Sequence, residues 1–64
     1  MTADEVRALL REACRKAGSQ SAWAEEHDMS TTLVSDVIRG RREPGDKVLA
    51  ALGLERVVTY RRLK

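Results

Sequence analysis

Five polar side chains, Thr31, Thr32, Ser35, Asp36 and Arg39, share one side of a helix when Val34 is turned inward, with Thr31 at its leading end. Two more arginines, Arg41 and Arg42, follow at once in "GRREP". The set is suited to hydrogen bonding. Hydroxyls donate and accept, a carboxylate only accepts, and a guanidinium only donates. Catalytic chemistry has no comparable set. The chain holds one Cys and one His, too few for the three or four protein ligands of a typical zinc site. No glycine-rich phosphate loop and no pair of carboxylates in a plausible cleft is visible. The expectation is a binding protein rather than an enzyme, with no cofactor, no metal and no small-molecule ligand.

The elements that must carry this face can be read from their punctuation. In "TADE", Thr2 and Glu5 have capping-box spacing, so a first helix should begin there. Val6, Leu9, Leu10, Ala13 and Ala17 give it an apolar face, with Cys14 at the edge of that stripe and Arg7, Arg11, Glu12 and Arg15 on the other side. Gly18 suits its end and Ser19 suits an N-cap for a second helix. Trp23, Ala24 and His27 share the inward face of that helix; Trp23 reads as core and His27 as a partly buried, hydrogen-bonded imidazole. The pattern stops at Asp28, and Ser30 can cap a third helix with Val34, Val37 and Ile38 inward, Leu33 on the shoulder and Gly40 at its close. Pro44 fits the first turn of a fourth helix, where Asp46 favours the positive N-terminus and Val48, Leu49, Ala51 and Leu52 make the inner face.

Residues 56–61 differ, because "RVVTY" is β-branched and aromatic without a helical stripe. A short strand is expected there, with a frayed tail as the alternative. As the one strand candidate in the chain it would need an outside partner, and the same strand of a second copy is the simplest. Val58 and Tyr60 share a face of it and are the candidate dimerisation residues. The fold expected is therefore all-α: one domain over 1–64, four compact helices and a short C-terminal strand.

Net charge is only +2 across 64 residues, but the cations cluster at Arg39, Arg41 and Arg42 and again at Arg56, Arg61, Arg62 and Lys64. Such segregation suits a polyanionic partner. There is no run of 18 apolar residues for a membrane span, and "MTADEV" does not resemble a signal peptide, so a cytoplasmic setting is expected.

Two helices joined by a turn of three or four residues, the second capped by serine, form a helix-turn-helix, here over about 19–40. In such a pair the second helix can lie in a DNA major groove while the first braces it. The stretch "SQSAWAEEHDMSTTLVSDVIRGRREP" resembles the repressor and Cro family of phage-type helix-turn-helix proteins, also called the XRE or lambda-repressor-like family. The resemblance rests on Gln20, the Trp23-Ala24 pair, Met29, Ser30, Val34-Ser35 and Gly40-Arg41-Arg42, and it extends over about residues 3–54. It implies repressor-like binding of double-stranded DNA, often as a dimer, with base reading at Thr31, Thr32, Ser35 and Asp36. Arg39, Arg41 and Arg42 would grip phosphate or reach a groove. Gln20 and the open start of the second helix would seat another phosphate, and Lys47 would add a contact or remain a solvated lysine. Asp36 has two readings: it accepts from a cytosine amino group, or it pairs with Arg39. The family usually has glycine where this chain has Asp28, and the tail after Leu54 lacks the common fifth helix.

The leading expectation is a homodimeric regulator that represses by occupying a pseudo-palindromic operator. The alternative class is a protein-interaction module on the same fold, such as an antitoxin or a polymerase-binding adaptor.

Overall fold

A computed structural model describes residues 2–56 and 60–62. It is mostly helical, with four helices and a short C-terminal hairpin. The first helix, α1, runs Ala3–Ala17 and opens with the expected reciprocal cap. Glu5 N donates to Thr2 Oγ1 at 3.2 Å, and Thr2 N donates to Glu5 Oε1 at 2.8 Å. These bonds to Thr2 hold the Glu5 carboxyl below its ordinary range. The second helix, α2, runs Gln20–Glu26, and Ser19 Oγ accepts from Ala22 N at 3.0 Å. The third, α3, runs Thr31–Arg39, and Ser30 Oγ accepts from Leu33 N at 3.1 Å. The fourth, α4, is Asp46–Ala51.

The turn between α2 and α3 closes by a Schellman arrangement. Met29 N donates to Ala24 O at 2.8 Å and Asp28 N donates to Glu25 O at 3.2 Å. That geometry puts Asp28 in the left-handed region, φ 58°, the one non-glycine residue so placed among the described residues. Met29 then folds back onto the core beside Ala24. Aspartate tolerates this conformation better than most L-residues, but glycine adopts it without the Cβ penalty. Asp28→Gly is therefore expected to stabilise the fold by about 0.5–1 kcal/mol, a rise of a few degrees in thermal midpoint. A lower midpoint would mean that the Asp28 side chain makes a favourable interaction that outweighs the backbone term.

The core is where α1, α2 and α3 meet. Leu10, Cys14, Trp23, Ala24, Val34, Val37 and Val48 form one buried cluster, and Val6, Leu49 and Leu54 a second. Leu52 packs against both. Cys14 sits inside the first cluster, 4% exposed, rather than at the edge of the stripe. The i, i+4, i+8 row Val6-Leu10-Cys14 is the line that faces the other helices, while Leu9 and Ala13 stay half-buried. Burial raises the Cys14 thiol pKa, because desolvation disfavours the thiolate.

Two expectations about the second half are corrected. Pro44 lies before the helix, not in its first turn: Gly45 is the N-cap of α4, and the Pro44 ring is buried as a packing element. The strand near the C-terminus does not stand alone. Leu54–Arg56 forms β1, which pairs antiparallel with β2, Tyr60–Arg62, in the register Leu54↔Arg62, Glu55↔Arg61 and Arg56↔Tyr60. Leu54 anchors the hairpin in the core at 2% exposure. The backbone partner that the strand needs is thus supplied within the subunit, and its pairing gives no reason by itself for a second copy. Val58 lies outside the described residues. Among those described, no helix is long and apolar enough to cross a membrane.

Candidate nucleic-acid interface

The face of α3 turned away from the core is polar and open. Thr31, Thr32 and Arg39 are exposed, and Ser35 and Asp36 are half-buried at its margins. Val34 and Val37 on the opposite side are fully buried, which fixes the roll of the helix about its axis. The five residues singled out in sequence therefore share one surface. No ion pair joins Asp36 to Arg39, so the carboxylate is not consumed by its helical neighbour. Of the two readings of Asp36, the structure lacks the contact that the second requires.

The start of α2 stands beside the start of α3. Thr31 Oγ1 donates to Ser21 Oγ at 3.3 Å, tying the two helices at their leading ends. Gln20, the first residue of α2, is half-buried next to that tie. The first turns of both helices carry no acidic residue, so nothing on those turns offsets their positive ends.

The exit of α3 is equally defined. Gly40 takes the left-handed conformation, φ 81° and ψ 10°. Gly40 N donates to Val37 O at 3.1 Å and Arg41 N donates to Asp36 O at 2.9 Å, a second Schellman closure. It turns the chain sharply and leaves Arg41 and Arg42 exposed just past the helix. Arg39, Arg41 and Arg42 thus crowd one end of the polar face, with Glu43 as the nearest acid in sequence.

Two basic residues occupy places that spacing did not suggest. The Arg7 guanidinium crosses from α1 to α3, where Nε donates to Val37 O at 3.1 Å. Nη1 of the same group is 2.8 Å from Asp4 Oδ1. Arg11 Nη2 reaches Ile38 O at 3.5 Å, a long bond one residue further on. Both cations sit at the carbonyl end of α3, where positive charge is favourable. Lys47, read in sequence as a phosphate contact or a solvated lysine, donates through Nζ to Asp28 O at 2.7 Å and so holds the turn between α2 and α3. It is exposed, and an ammonium carries three donors, two of them left over. Trp23 is 4% exposed, with its ring centroid 4.4 Å from that of the half-buried His27 and the planes at 44°. It is part of the core and offers no stacking platform.

Comparison with protein-family models, with curated proteins and with solved structures finds no match in any of the three. The functional reading therefore rests on this geometry and on the sequence resemblance.

Proposed function

We propose that the protein is a sequence-specific DNA-binding regulator that works in the cytoplasm as a homodimeric repressor. The observation that carries the reading is the free polar face of α3. It presents Thr31, Thr32, Ser35, Asp36 and Arg39, while the helix's apolar side is locked into the core. A helix of this kind fits the major groove of B-DNA, where hydroxyls bond base edges or touch a thymine methyl and a carboxylate accepts from cytosine N4. Arg41 and Arg42 lie where the backbone would pass, as does the Gln20 end of α2; such contacts set register and orientation, not sequence. Two copies related by a two-fold axis would place their α3 helices about 34 Å apart on one side of the duplex.

A second reading has one observation behind it. Leu9, Ala13, Leu52 and Leu54 line an open apolar groove between α1 and β1, rimmed by Glu12 and Lys16. An apolar surface of that kind suits a protein partner. The polar face of α3 favours DNA as the primary ligand.

Selection from a random-duplex pool at physiological salt separates these readings. A motif with two-fold symmetry is the expected result. An asymmetric motif would keep DNA reading and remove the symmetric dimer. No enrichment by a folded sample would move the assignment to the protein-interaction module.

A further inference from the structure

We propose that Arg7, on α1, is a positioning residue for the exit of α3, fixing the direction in which Arg41 and Arg42 leave the helix. The inference rests on the DNA-binding reading for its consequence, and on geometry alone for its mechanism.

The guanidinium is held at two of its nitrogens. Asp4 Oδ1 holds Nη1 at 2.8 Å, Val37 O holds Nε at 3.1 Å, and the side chain is only 19% exposed. A Cβ at Gly40 would meet the same group, with Nε, Cζ and Nη2 at 3.8, 3.9 and 4.0 Å. Val37 O is the junction. It accepts from Gly40 N, which makes the turn after α3, and from Arg7 Nε, which ties that turn to α1. The same turn carries the bond from Arg41 N to Asp36 O. Arg7 therefore braces the backbone on which both exposed arginines are mounted, without being one of them. It is separated from Val37 by 30 residues, so no local capping rule accounts for it. A lysine would keep the charge near the helix end but has no planar fork to bond a carboxylate and a carbonyl at once.

The mechanism predicts coupling between Arg7 and Arg41. The full-length chain and its Arg7→Ala, Arg7→Lys, Arg41→Ala and Arg7→Ala/Arg41→Ala variants would be titrated with the selected duplex across a salt series. The temperature is chosen so that each variant is folded by circular dichroism. Arg7→Ala is expected to weaken binding about tenfold, and Arg41→Ala to cost less than about threefold more in that background, since coupled sites are non-additive. Arg7→Lys should fail to restore the wild-type affinity. Additive effects, or full rescue by lysine, would overturn the proposal.

Amide hydrogen exchange tests the same brace without DNA. Arg7→Ala should speed exchange at Gly40 and Arg41 about tenfold while leaving the middle of α1 unchanged. Unchanged protection at both amides would also overturn it. If the wild-type chain selects no duplex but the exchange result holds, the DNA reading fails and the brace stands.

Discussion

Alanine at both Arg41 and Arg42 is expected to weaken binding at physiological salt about tenfold or more for every duplex, and to flatten its salt dependence. Each phosphate contact contributes about 0.9 to the slope of log K against log salt, so losing two should reduce that slope by about 1.8. The loss should be nearly uniform across sequences, because phosphate contacts carry no base information. The fold should survive. Both side chains are exposed, and the bond from Arg41 N to Asp36 O is made by the backbone, which alanine retains. An unchanged slope, measured by titration in a salt series, would remove these arginines from the phosphate grip.

Trp23→Ala should have the largest effect on stability. The indole is 4% exposed within the cluster that joins α1, α2 and α3. Truncating a buried Trp to Ala costs about 3–5 kcal/mol. The whole domain, at 64 residues, is worth about 3–10 kcal/mol by per-residue norms. The variant should therefore lose about a third or more of its stability, and its thermal midpoint should fall by about 12 °C or more, as read by circular dichroism. A transition within a few degrees of wild type would mean that the indole contributes far less to the core than its burial implies. Because Trp23 lies on the inward face of α2, any loss of DNA binding by this variant should follow the loss of folding.

What could be read in advance was what is written locally. Thr2 with Glu5, Ser19, Ser30 and Gly40 are caps whose partners lie within a few residues, and each appears where spacing places it. The outward row of α3 was legible for the same reason, since Val34 and Val37 set its phase. The hairpin was half missed. β1 is only three residues, Leu54–Arg56, and its strand character comes from its partner rather than from its own composition. The contacts of Arg7 and Lys47 span 30 and 19 residues and join side chain to backbone carbonyl. Neither leaves a periodicity, so Arg7 reads in sequence as plain helix surface, and Lys47 as a phosphate contact or a solvated lysine.

Helix length has a consequence for turnover. α2, α3 and α4 have 7, 9 and 6 residues, each below the roughly 12–15 residues at which an isolated helix becomes even marginal in water. None can persist once the core they share is lost, so the polar face of α3 and the folded, protease-resistant state disappear together. Small changes in core stability, of about 1–2 kcal/mol, should then set how much active protein survives proteolysis, altering abundance several-fold without touching a residue of the polar face.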